Sequence, residues 1–241
     1  MKLGLLVCDH VVSPLVEDFG DYTDMFTAII NRAAPTWQIC SYFVIDGELP
    51  QRHDECDAYL ITGSQFSVYQ ELGWIGQLSH FVHTLCHHRH PLIGICFGHQ
   101  LIAQALGGRV KKSEKGWGVG VHNYKLQAPK SWMSPALNEV NLIASHQDQV
   151  IEGPKNAQTL MSSDFCPNAM LLIDQHILTL QAHPEFIAGY SKALMKKRAH
   201  IIPEKTLNTG LNSLSHAHQG QKVACWIVNF IREAVKRNLT A

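Results

Sequence analysis

Short apolar runs alternate with longer amphipathic ones through the first half of the chain. Lys2–Val7, Gln38–Val44, Ala58–Thr62 and Leu92–Ile95 are brief and rich in branched side chains, the mark of strands buried on both faces. Asp21–Arg32, Gly73–His88 and Phe97–Leu106 place apolar residues at helical spacing. Strand and helix in alternation predict βαβ units and a mainly parallel sheet. From Arg109 to Ser163 the texture changes. Glycine and proline punctuate shorter alternating runs, such as Val119–Leu126 and Glu139–Ala144, which predict antiparallel strands at one sheet edge. Met170–Ile173 and Ile177–Ala182 flank Asp174-Gln175 as a hairpin. Ile187–Arg198 and Val223–Arg237 read as helices, and the Pro-, Asn-, Ser- and Gly-containing stretch between them reads as a loop or lid.

Composition narrows the setting. A chain of 241 residues, 46% hydrophobic, fits one large domain or one domain with an appendage. Twenty basic residues balance 20 acidic ones, which points away from nucleic acid and from anionic membrane surfaces as partners. Seven cysteines without a C-x-x-C pair predict reduced thiols in a cytoplasmic protein. The apolar start, Leu3–Val7, is too short for a secretory h-region, and no run reaches transmembrane length.

The chemistry concentrates at Cys96. A β-branched run ends at Gly94, and Gly94-Ile95-Cys96-Phe97-Gly98 then opens into a helical segment. Strand, tight turn and helix in that order build a nucleophile elbow, which lifts the middle side chain clear of the sheet. The two glycines are needed because side chains there would crowd the turn or the neighbouring backbone. The helix that follows aims free N–H groups and its dipole at the sulfur, a setting that favours thiolate. The Phe97 N–H, directly after the nucleophile, is one donor for an oxyanion.

A cysteine nucleophile needs a base, and the base needs an orienting group. Fifteen histidines compete for the role. His183 is selected because Thr179-Leu-Gln-Ala-His183-Pro-Glu185 puts imidazole and carboxylate two apart at a strand end, where alternate residues share a side. Cys96 and His183 both follow predicted strands, and reactive groups of parallel sheets gather at strand carboxyl ends. Thr62-Gly63-Ser64 ends another strand, and the backbone at Gly63 is the candidate second oxyanion donor.

The elbow, the His-Pro-Glu strand end and the Thr-Gly-Ser turn, in this order, resemble the class I glutamine amidotransferases. Gly94-Ile-Cys-Phe-Gly-His-Gln100 followed by Leu106-Gly-Gly108 carries the match, with Lys115–Gly120 and Ala144-Ser-His-Gln-Asp-Gln-Val150 in support. The likeness runs from about Leu3 to Phe186 and is greatest to stand-alone proteins related to the glutaminase domain of GMP synthetase. It implies a three-layer, flavodoxin-like α/β fold over residues 1–198, with a mostly parallel central sheet and a small antiparallel extension. Residues 199–241 would form a loop and helix packed on that domain. It further implies hydrolysis of a γ-glutamyl amide through a Cys96 thioester, with Cys96, His183 and Glu185 as a triad. Gln100 and the backbone near Ser145-His146 would hold the glutamyl group. No cofactor is called for. No Gly-rich P-loop signature is present, so either a separate synthetase subunit receives the ammonia or the protein is a hydrolase of γ-glutamyl compounds.

Simpler readings stand beside these. Cys8, Cys40, Cys56, Cys86, Cys166 and Cys225 are expected to be small buried hydrophobes. Glu185 could cap the next helix, and Gln100 could be a solvated helix residue. His80, His83 and His87 have spacing able to grip zinc, but Ile75, Leu78, Val82 and Leu85 define the core-facing side. The histidines therefore read as a wet face with no metal site. Trp117 and Trp132 are candidates for a pocket wall. The rival functions are a γ-glutamyl peptidase acting on glutathione-like conjugates and a non-catalytic regulatory protein of the same fold.

Overall fold

Five parallel strands run through the centre of the molecule, a computed structural model that describes residues 1–239 and the side chains of 1–238. In chain order the elements are β1 (Lys2–Val7), α1 (Leu15–Phe19), α2 (Tyr22–Ala33), β2 (Gln38–Phe43), β3 (Ala58–Ile61), α3 (Gly73–His87), β4 (Leu92–Ile95) and α4 (Phe97–Ala105). There follow β5 (Arg109–Lys112), β6 (Gly118–Leu126), β7 (Glu139–His146), β8 (Asp148–Glu152), β9 (Ala157–Ser162), β10 (Met170–Ile173) and β11 (Ile177–Leu180). Three helices, α5 (Ala188–Lys197), α6 (Glu204–Ser213) and α7 (Gly220–Leu239), complete the chain.

The main sheet runs β2-β1-β3-β4-β11-β10-β9-β6-β7. From β2 to β11 neighbours are parallel, and from β11 to β7 they are antiparallel. The inner parallel strands β3 and β4 are buried at every residue, as helices on both faces require. One apolar cluster joins Leu6, Tyr59 and Ile61 to Leu78, Val82, Phe97 and Leu101 on the α3–α4 side. The other joins Leu3, Leu5 and Val7 to Phe26, Ile30, Trp226 and Phe230 on the α2–α7 side. Alternate residues of β1 therefore feed opposite layers, and the molecule has three layers.

The β10–β11 hairpin turns through the three residues between Ile173 and Ile177, of which Asp174 and Gln175 are left-handed (φ 47° and 65°). The antiparallel half curls back on itself: Ile143 of β7 bridges His183, whose N–H donates to the Ile143 carbonyl at 2.8 Å. β5 and β8 form a separate antiparallel pair that the punctuation of that region did not reveal.

Residues 199–219 differ from the loop expected of them. They contain α6, whose Leu207 and Leu211, with Leu214 at its C-cap, pack against Val119, Met195 and Ile202. Its Gly210 rests on β6, where an added Cβ would lie 2.8 Å from Val119 Cγ2. Tertiary burial overrides the poor propensities of Asn, Thr and Gly here.

Candidate active site

The elbow forms as its glycines require. Cys96 has φ 52° and ψ −99°, a left-handed backbone that costs a non-glycine residue about 1–3 kcal/mol and persists only where its surroundings impose it. Here α4 lies directly on the sheet. A Cβ at Gly94 would sit 2.6 Å from the Gly98 carbonyl carbon, and one at Gly98 would sit 2.5 Å from the Ile61 carbonyl oxygen. The Cys96 N–H is anchored to the Leu180 carbonyl at 2.8 Å, tying the elbow to β11. Phe97 begins α4, so its N–H belongs to the first turn, where amides lack intrahelical acceptors.

β11 also delivers the imidazole. Its register against β4 sets Leu180 opposite Ile95, so His183 and Cys96 leave the sheet at the same end. Cys96, His183 and Glu185 are 5%, 3% and 5% exposed. His183 Nδ1 and Glu185 Oε1 lie 2.7 Å apart, and the ring stacks on Phe186 with centroids 3.9 Å apart and planes 8° apart. Tyr190 meets Phe186 edge-on and backs the stack. Nε2, buried without a conventional hydrogen-bond partner, is the nitrogen left for the Cys96 thiol. Burial opposes a charged His183, but the Glu185 carboxylate and then the Cys96 sulfur more than offset it, and the imidazole pKa is raised. Glu185 makes no side-chain cap to α5, whose N-cap is Ile187; its carboxylate serves His183 instead.

Gly63 completes the convergence. A Cβ there would approach His183 Cε1 to 3.0 Å and Cys96 Cβ to 3.7 Å. The turn is fastened to β1 by Thr62, whose Oγ1 accepts from Cys8 N–H at 3.0 Å. The buried Asp9 accepts from the Gln65 backbone at 2.7 Å and side chain at 3.2 Å.

A cleft of about 460 Å³ opens beside the sulfur. Gln100, Ser145 and His146 line it. Gln100 is buried rather than solvated, and its amide donates to the Asp148 carbonyl at 2.8 Å and to Gln181 Oε1 at 3.1 Å. His146 is buried, which pushes its pKa down to about 3 and keeps it neutral. Gln181 also donates to Cys96 Sγ at 3.6 Å.

Several cleft residues were not singled out from the sequence. The Asp148 carboxylate accepts from Ser67 at 2.6 Å and Tyr69 at 3.1 Å, and it lies within the Ala144–Val150 run. Arg198, Lys112 and Ile201 carry no local signal; only the packing of distant segments brings them here. Trp117 lines the cleft, whereas Trp132 is a core residue packed on Phe230. His80, His83 and His87 lie on the exposed side of α3. Cys8, Cys56 and Cys166 are buried, but Cys40, Cys86 and Cys225 are only half-buried; all are free thiols.

A strained cysteine between strand and helix, with an imidazole–carboxylate pair closing on it, places the molecule among α/β proteins of the nucleophile-elbow kind. Residues 19–201 match the family described as glutamine amidotransferase class-I, and the chain belongs to that family. It is 30% identical over 192 residues to gamma-glutamyl peptidase 3 of Arabidopsis thaliana, covering 76% of each chain. It is 33% identical over 132 residues to a subunit of the glutamine-hydrolyzing GMP synthase of Sulfolobus acidocaldarius, covering 54% of this chain and 68% of that one. A crystal structure of a glutamine amidotransferase from Thermotoga maritima shares the fold, with a TM-score of 0.75 at 18% identity over 97% of each chain. Among the described residues no helix is long and apolar enough to cross a membrane.

Proposed function

We propose that the protein hydrolyses the γ-amide of glutamine or of a related γ-glutamyl compound through a thioester on Cys96. The observation that carries this reading is the meeting of three chain segments, with His183 and Gly63 closing on the Cys96 elbow. In the first half-reaction the Cys96 sulfur, its proton already held on His183 Nε2, bonds to the γ-carbonyl carbon as the carbonyl π pair moves onto oxygen. Amides of Phe97 and Gly63 hold the resulting oxyanion. Collapse breaks the C–N bond, and His183 returns the proton to the departing amine. In the second half-reaction His183 takes a proton from water, the hydroxide oxygen attacks the thioester, and glutamate leaves as the sulfur is released. Glu185 fixes the imidazole tautomer and supports its charge.

The similarity to part of a GMP synthase supports glutamine as donor, with ammonia passing to a separate synthetase. A second reading, a γ-glutamyl peptidase, is favoured by the similarity to gamma-glutamyl peptidase 3 and by the cleft, whose volume is in the range that holds drug-sized ligands. Cys96→Ala is expected to abolish turnover of glutamine and of γ-glutamyl dipeptides while leaving the circular dichroism spectrum unchanged. Retained turnover in that variant would reject Cys96 as the nucleophile, and no turnover together with no labelling of the wild-type Cys96 by an electrophilic glutamine analogue would leave a non-catalytic protein of this fold.

A further inference from the structure

Arg198 stands in the wall of the Cys96 cleft, one residue beyond the end of α5. Its guanidinium is held on two sides. Nη1 donates to Ser145 Oγ at 3.2 Å, and the group lies 5.9 Å over the Trp117 ring centroid, within cation–π range. Ser145 and Trp117 both line the same cleft. Among the described residues Arg198 forms no ion pair with a carboxylate, whereas Arg52 pairs with Asp54, Arg109 with Glu152 and Arg237 with Glu233. The buried acid that feels its charge, Asp9, already accepts from Gln65 twice and from the His10 backbone at 2.9 Å. Complementing the α5 dipole does not explain the residue, because Lys196 and Lys197 already occupy the last turn.

A planar donor fork, pre-set by stacking and lacking a counter-charge, is suited to a carboxylate. We propose that Arg198 is the specificity-determining residue of the cleft, reading a carboxylate of the substrate. The inference rests on the γ-glutamyl reading of the site and extends it. The carboxylate has two sources, the α-carboxylate of the glutamyl group or the terminal carboxylate of an amino acid leaving group. The exposed Ile201 beside Trp117 and Arg198 gives this part of the cleft an apolar wall as well, which suits a leaving group larger than ammonia.

The test compares wild type, Arg198→Gln and Arg198→Lys on three probes. These are γ-glutamylglycine, γ-glutamyl-p-nitroanilide and 4-aminobutyryl-p-nitroanilide, the last lacking both carboxylates. Arg198→Gln is expected to raise KM for carboxylate-bearing probes roughly 10- to 100-fold with little change in kcat, the scale of one charge-assisted hydrogen-bonded contact used equally in ground and transition states. Arg198→Lys should recover part of that loss by restoring the charge without the fork. A loss confined to γ-glutamylglycine assigns the leaving-group carboxylate, and an equal loss on γ-glutamyl-p-nitroanilide assigns the glutamyl one. Either pattern supports the proposal. Unchanged KM on both acids, or an equal loss on the carboxylate-free probe, overturns it while leaving the chemistry of Cys96 in place. If wild type hydrolyses none of the probes, the underlying γ-glutamyl reading fails, and this one with it.

Discussion

Replacing Gly63 by alanine inserts one methyl group between the two groups on which the proposed reaction depends. The new Cβ would lie 3.0 Å from His183 Cε1, whereas ordinary contact begins near 3.4 Å. The imidazole or the turn must therefore yield by about 0.4 Å. His183 has little room to do so, being stacked on Phe186 and bonded to Glu185. A misplacement of about 1 Å at a reacting group costs on the order of a hundredfold in rate. A shift of this size predicts a loss of roughly tenfold, rising toward a hundredfold if the Gly63 amide also leaves its oxyanion position. In energy this is about 1.4–2.7 kcal/mol of transition-state stabilisation. Stability should not fall with it, because Gly63 has no left-handed backbone, and removing a glycine there restricts the unfolded chain. The assay is kcat/KM on γ-glutamyl-p-nitroanilide beside a thermal melt, with Gly76→Ala as control, since nothing lies within 4 Å of a Cβ at that position. Activity within twofold of wild type would refute the placement of Gly63 at the reacting centre. A collapse of the melting temperature would show that the glycine serves folding instead.

Two further outcomes follow from the buried ionisable groups. Glu185→Gln keeps the shape but removes the charge that raises the His183 pKa; by analogy with carboxylate-to-amide changes in hydrolase triads, kcat should fall by about 10⁴. The pH–rate profile of the residual activity should move with it, and a kcat within tenfold of wild type would remove Glu185 from the mechanism. Burial lowers the pKa of His90 to about 4 and of His99 and His146 to about 3. Their folded values lie below the unfolded value near 6.5, so the stability they hold is complete above that pH and is lost as pH falls toward 4. His183, whose folded value is raised, works against this loss between pH 7 and 6, where the unfolded imidazole is still gaining its proton, and adds little slope below pH 5. Urea midpoints at pH 7, 6 and 5 should drop with a slope of up to about 4 kcal/mol per pH unit for the three histidines together; a flat series would mean that they are solvated.

Features that depend on neighbours in sequence were legible before any fold was known. The glycines around Cys96 and the His183-Pro184-Glu185 spacing encode backbone geometry locally, and the apolar strands Lys2–Val7 and Leu92–Ile95 recur with the same bounds in the structure. Features that depend on contacts between distant segments were not. Arg198 enters the cleft only because α5 packs beside β6 and β7, and nothing in Lys196-Lys197-Arg198 separates the third cation from the first two. The helix α6 was hidden for the same reason. Its Asn, Thr and Gly read as loop punctuation until Leu207 and Leu211 find Val119 and Met195. Gln100 and Glu185 were ambiguous by position, and burial against Asp148 and His183 resolved what spacing left open.

Strand β11, last of the strands in chain order, lies in the middle of the sheet between β4 and β10, and the residue that bridges β7 lies just past its end. On the ribosome, the elbow emerges long before its imidazole does. The proposed sulfur–imidazole pair can therefore form only once this last strand of the chain is in place beside β4.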